Sequence, residues 1–121
     1  MIGLDIDLDH TKENLFNLKS RGAFEVSDPN LLQFDQFNPD VSQLQELLKG
    51  REIDIVIDDG FHSEETIMNT YEALRGLLAD DFVYFAEDNS KVHNTFKKQY
   101  SDILVYHYSE LTVLEPNKLI R

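Results

Sequence analysis

Apolar residues in this chain come in two patterns that alternate: short unbroken runs, and stretches where they recur every three or four positions. The first pattern reads as strand and the second as helix. Ile2 to Leu4 is an extended run, followed over Thr11 to Arg21 by a helical segment that places Leu15 and Leu18 on one side before Gly22. Asn30 to Phe34 is a second extended run. Asn38 and Pro39 then stand as cap and first residue of a helix carrying Val41, Leu44, Leu47 and Leu48, closed by Gly50. Ile53 to Ile57 has the β-branched character of a strand covered on both faces, which predicts the centre of a parallel sheet.

Ser63 is placed to cap the next helix, with Glu64 and Glu65 in its first turn and Ile67, Tyr71, Leu74 and Leu78 at helical spacing. Phe82 to Ala86 predicts another strand and Lys91 to Tyr100 a weaker helix. Ile103 to Tyr108 and Leu111 to Leu114 predict an antiparallel pair at the end of the sheet. This alternation argues for a three-layer α/β sandwich, mostly parallel.

Ligands of such sheets bind beyond the carboxyl ends of the strands. Asp5, Asp35, Asp58, Asp59, Glu87 and Asp88 all stand just past a predicted strand. Each one alone is also an ordinary turn former. Together they predict a carboxylate-lined edge.

Composition narrows the partners. With 121 residues, 41% of them hydrophobic, the chain suits one domain with one core. Eleven Lys and Arg against 23 Asp and Glu leave a net charge of −12, which repels nucleic acid and anionic membranes. There is no cysteine for a disulfide or thiolate site, and no apolar run approaches the ~20 residues of a membrane span. A cytoplasmic protein is the expectation.

The strings GLDID, QFDQFNP, DIVIDDGFH and YFAEDN, in this order from Ile2 to about Leu114, resemble class I S-adenosylmethionine (SAM) dependent methyltransferases. They are most similar to the metal-dependent branch of macrolide-sugar O-methyltransferases and cephalosporin-hydroxylase-like proteins. The resemblance implies a Rossmann-like fold, with SAM and Mg²⁺ as cofactors and a sugar-like small molecule as acceptor. It makes Asp5 the acid on the ribose hydroxyls, Ile6 the apolar neighbour of the adenine, and Asp35 with Gln36 the pair at the adenine edge. It makes Asp59, Glu87 and Asp88 the Mg²⁺ ligands, hard oxygens for a hard cation. It also makes His62 the general base, acting with the metal on a substrate hydroxyl that attacks the sulfonium methyl. Asp58, one residue before Asp59, is expected to point the other way and orient the loop. His10, His93 and His107 read as surface or packing residues.

The sequence departs from the family in one large respect. The first strand and its glycine-rich turn would precede Ile2, so the resemblance implies an N-terminally truncated methyltransferase fold. In the family order that strand lies between those ending at Asp5 and at Asp58. Since two buried strands would otherwise keep unpaired backbone, the gap predicts either that Ile2 to Leu4 pairs directly with Ile53 to Ile57 or, as the favoured expectation, that another copy covers the exposed edge in a self-associated protein. Two alternatives stand beside this reading. DIDLDHT faintly resembles the opening motif of haloacid-dehalogenase-like phosphatases, although Asp9 stands where Thr belongs. The other is a non-catalytic α/β interaction module.

Overall fold

The computed structural model describes residues 1–119. It is an α/β structure whose contacts gather into two units, Met1–Asp35 and Gln36 onward.

In the first unit, β1 (Ile2–Asp5) and β2 (Asn30–Gln33) pair in parallel, with Ile2 opposite Asn30 and Asp5 opposite Gln33. Between them runs α1 (Leu8–Ser20), which begins three residues before the predicted start. Asp7 explains the early start: its carboxylate accepts from the His10 N–H at 3.1 Å, satisfying one of the donors that a helix start leaves open. No residue of α1 is buried. Leu15 is half-buried, while Leu18 is exposed and Phe16 is 73% exposed.

The second unit begins with α2 (Ser42–Leu48). The predicted start at Asn38 and Pro39 is corrected to Ser42. Asp40 is the local reason, because its Oδ1 accepts from both the backbone N–H and the hydroxyl of Ser42, at 2.9 and 2.6 Å. Those bonds also hold the Asp40 carboxyl below its ordinary pKa. The helix buries Leu44 and Leu48 and ends as Lys49 and Gly50 turn left-handed, with φ of 52° and 82°.

Four strands follow: β3 (Ile53–Asp58), β4 (Leu78–Ala86), β5 (Ile103–Tyr108) and β6 (Leu111–Pro116), in spatial order β3-β4-β6-β5. β3 and β4 are parallel, and β6 runs antiparallel to both β4 and β5, as expected for the C-terminal pair. α3 (Glu64–Leu74) and α4 (Val92–Gln99) complete the unit. Leu78, predicted on the helix, starts β4, because the chain leaves α3 through the 3₁₀ turn Arg75–Leu77.

One face of this sheet is closed. Phe82, Tyr84 and Ala86 of β4 are buried, as are Ile67, Tyr71 and Leu74 of α3 and Val92 and Phe96 of α4. Tyr71 is at the centre, meeting the rings of Tyr84, Phe96 and Tyr100 edge-to-face at 5.3, 5.2 and 4.9 Å. His93 stacks on His107 at 3.8 Å, joining α4 to β5. Those two histidines are packing residues, as the sequence suggests.

The opposite face is open at β3. Ile55 is 62% and Ile57 65% exposed, and among the described residues β4 is the strand's one ladder partner. The expectation of a central strand covered on both faces is therefore corrected. A continuous β-branched run is the same string whether or not a neighbouring strand and helix arrive to cover it.

Replacing Tyr71 by Ala removes the ring on which three others pack and should cost about 3–5 kcal/mol. Denaturant unfolding of the variant followed by circular dichroism measures it.

Candidate metal centre

β3 and β4 end side by side, with Asp58 opposite Ala86 and the Glu87 N–H donating to the Asp58 carbonyl at 3.0 Å. This brings the β3–α3 loop and the β4–α4 loop together at the carboxyl edge of two parallel strands.

The first loop is held by buried Asp58 and half-buried Gln36. Asp58 points inward, as strand alternation from exposed Ile57 requires. Its Oδ1 accepts from Gly60 N–H at 3.2 Å and from Gln36 Nε2 at 2.9 Å. Gln36 Nε2 also donates to the Thr70 hydroxyl at 2.8 Å, and Gln36 Oε1 accepts from Phe61 N–H at 3.0 Å. Asn69 Nδ2 donates to the Gln36 carbonyl at 3.1 Å. One side chain thus fastens both sides of the loop. Gly60 is required for this, since a Cβ there would lie 2.0 Å from Gln36 Oε1.

The second loop is held by Asn89. Its Oδ1 accepts from the N–H groups of Lys91 and Val92, both at 3.0 Å, capping α4. Its Nδ2 donates to the His62 carbonyl at 2.9 Å, which joins the two loops. His62 and Asp88 both have left-handed backbone, with φ of 72° and 60°. Such geometry costs a non-glycine residue free energy and is concentrated where side chains must be aimed.

The result is a cluster of three. A carboxylate oxygen of Asp59, a ring nitrogen of His62 and a carboxylate oxygen of Asp88 lie within 4.8 Å of one another. His62 Nε2 is 3.6 Å from Asp88 Oδ2, while His62 Nδ1 is buried without a hydrogen-bond partner. Two hard oxygens and an imidazole suit a divalent ion such as Mn²⁺ or Zn²⁺ better than the all-oxygen preference of Mg²⁺.

Glu87 is not in this set. Alternation along β4 sends it to the side of Val83 and Phe85, and the left-handed turn at Asp88 then returns the next carboxylate to the loop. His62 stands where the expected ligand set has Glu87.

The residues assigned to SAM are placed as follows. In the first unit, Asp5 is half-buried, its Oδ1 accepting from Asp7 N–H at 3.0 Å and its Oδ2 from the Thr11 hydroxyl at 2.9 Å. The Asp7 bond leads in holding its carboxyl below the ordinary range. Ile6 is 57% exposed and Asp35 is half-buried. In the second unit, both amide protons of Gln36 are committed to Asp58 and Thr70. Two exposed rings escaped the sequence reading: Phe37 and Phe61 meet edge-to-face at 5.2 Å beside Gly60. Their adjacency to Gln36 and Gly60 was the available signal.

Burial raises the Asp58 carboxyl above its ordinary pKa, against the opposing bonds from Gln36 and Gly60, and its Oδ2 has no partner. A carboxyl raised on folding gives stability that is present at low pH and lost as the pH rises through its folded value. Asp58→Asn should therefore exceed the parent in stability at pH 7 by on the order of 1 kcal/mol. The gap should narrow as the pH falls and close below about 3, where the carboxyl is protonated in the unfolded state as well as the folded one. Unfolding curves across about pH 3–7 test this.

Titration with Mn²⁺ by calorimetry tests the cluster. Asp59→Asn and Asp88→Asn should each weaken binding at least about tenfold, since each removes a charged ligand. Glu87→Gln should leave it within about twofold. A larger loss at Glu87 than at Asp88 would reverse the ligand assignment.

In comparison with known proteins, no family model matches the chain and no curated protein matches it.

Proposed function

We propose that this chain is a metal-dependent O-methyltransferase-like domain acting on a hydroxyl of a sugar-like or other small molecule, in a cytoplasmic setting. The observation that carries the proposal is the convergence of Asp59, His62 and Asp88 at the carboxyl ends of two adjacent parallel strands. The ordered strings GLDID, DIVIDDGFH and YFAEDN support it further.

Asp59 and Asp88 would hold a divalent cation with His62 as third donor, and it would supply Lewis-acid activation of an acceptor hydroxyl, which is otherwise a poor nucleophile near neutral pH. The chain's own contribution is placement. Gln36 and Asn89 keep both loops in one arrangement, so the donors converge without further ordering. The exposed rings of Phe37 and Phe61 offer an apolar surface against which the body of an acceptor packs.

A second role for His62 is favoured by the 3.6 Å approach of Nε2 to Asp88 Oδ2: a proton acceptor at the site. The two roles differ in their effect on the cation. As donor, His62→Ala weakens Mn²⁺ binding; as base, it leaves Mn²⁺ bound and lowers transfer by about 10²- to 10⁴-fold.

For SAM the fit is uneven. The Asp5 carboxylate keeps lone pairs for a ribose diol beyond the two bonds it accepts. Gln36 has no amide proton left for an adenine, and the family's glycine-rich turn has no counterpart among the described residues. No step is derived through this cofactor.

The test is calorimetric titration of the chain with SAM in the presence of Mn²⁺, followed by transfer of labelled methyl to a panel of sugar hydroxyls. Binding of both cation and SAM, with loss of transfer in Asp59→Asn, is the expected result. Cation binding without SAM binding would retain the metal centre and refute methyl transfer. Formation of an aspartyl phosphate from a phosphate ester would favour the phosphatase alternative.

A further inference from the structure

We propose that β3 forms an antiparallel, two-fold symmetric pair with β3 of a second copy of this chain, joining two four-stranded sheets into one of eight. The proposal is independent of the methyl-transfer reading.

β3 is an edge strand of its sheet, with β4 as its ladder partner on one side. Its other side has no ladder partner among the described residues, which leaves backbone N–H and C=O groups for an added strand. Edges of soluble proteins are usually blunted by lysine, proline, a bulge or very short length. The ladder with β4 is irregular between Ile53 and Ile55 and regular from Ile55 to Asp58, and Ile53–Asp58 contains no lysine, proline or glycine. The side chains beside the edge are apolar and uncovered, with Ile55 and Ile57 more than half exposed. An unpaired backbone row next to exposed isoleucines makes two demands, and an added strand meets both.

The sequence of the strand points to a copy of itself as that strand. A two-fold interface must be self-complementary, each residue meeting its own symmetry mate or a reciprocal partner. Centring the axis on Ile55 pairs Ile55 with Ile55, Ile53 with Ile57 and Asp54 with Val56. All three isoleucines then meet isoleucines on one face, at the ~4.5–5.5 Å of direct cross-strand neighbours. Asp54 meets no acid among these five residues. Moving the axis to Asp54 sets it against its own mate, and moving it to Val56 sets Asp54 against Asp58. The Ile55 axis has its like-charge pair at the ends, Glu52 against Asp58, and it alone sets all three isoleucines against isoleucines, which selects the register.

A six-residue strand is ~20 Å long, and strand addition of that length buries less than the ~800 Å² per partner of a standard stable interface. The dimer is accordingly a weak one. Each copy carries a net charge of −12, so the copies repel at long range, and salt that screens this repulsion strengthens the pairing. A basic strand from another protein would be attracted by the same charge. In that case the isolated chain stays monomeric and salt weakens the complex.

The test uses the 121-residue chain and the absence of any native cysteine. Sedimentation velocity over about 1–100 µM should show a monomer–dimer equilibrium that shifts toward dimer as salt is raised. Ile55→Cys places one thiol on the two-fold axis and should form a disulfide-linked dimer at least about tenfold faster than Phe61→Cys, since facing residues lie about 5 Å apart. Phe61 is as exposed as Ile55, at 65% against 62%, but lies beyond the strand. Ile55→Lys, with its fold checked by circular dichroism, should weaken association at least about tenfold by setting two charges across the axis. A monomer across the whole range, equal cross-linking of the two cysteine variants, or undiminished association of folded Ile55→Lys would each overturn the proposal.

Discussion

The geometry of the candidate site depends on the bond between Gln36 and Asp58. Asp58 is a carboxylate at the end of the edge strand β3, 6% exposed and desolvated enough to raise its pKa. A buried charge of that kind is tolerated only when hydrogen-bonded. Gln36 supplies the bond and carries it further, to Thr70 on α3 and to the Phe61 backbone beyond the turn. Residues 36, 58, 61 and 70 are thereby locked in one network. Such networks are costly when half satisfied and rigid when complete. With Asp58 committed inward, its neighbour Asp59 is left facing outward, available to a ligand.

The same logic distributes roles along the second loop. Ala86 is buried, Glu87 follows the ladder, and Asp88 turns left-handed while Asn89 caps α4 and reaches back to His62. Backbone strain at His62 and Asp88 is offset by these bonds. Ser63 adds to the same end by capping α3 through Thr66 N–H at 3.1 Å, which makes the helix begin directly after the strained histidine. What results is a set of donors gathered before any cation arrives, the arrangement in which affinity is not spent on ordering loops.

β3 combines two properties that are usually kept apart. Its carboxyl end bears the site, and its flank is an open, apolar edge. A strand free on one side is less firmly placed than one paired on both, so an added neighbour along β3 would also steady the loop that begins at Asp59. The orientation of the ligands and the covering of the edge are in this sense one structural problem, met from two directions.

Much of this was legible in the amino-acid order. Period-two and period-3.6 patterns located the strands and helices, Ser63 announced the start of α3, and the C-terminal hairpin was readable from Ile103 onward, because these features depend on residues near one another in the chain. The acids at strand ends were also legible, as was the inward turn of Asp58, which follows from alternation alone. Tertiary structure decided the rest. Whether Glu87 or His62 joins Asp59 and Asp88 depends on left-handed backbone at positions 62 and 88, held by Asn89 acting across 27 residues. Whether Gln36 faces a ligand or the protein depends on Asp58 and Thr70, 22 and 34 residues away. The β-branched run of β3 specified a strand but not its neighbours, because local sequence sets the conformation of a segment while its burial is set by whatever packs against it.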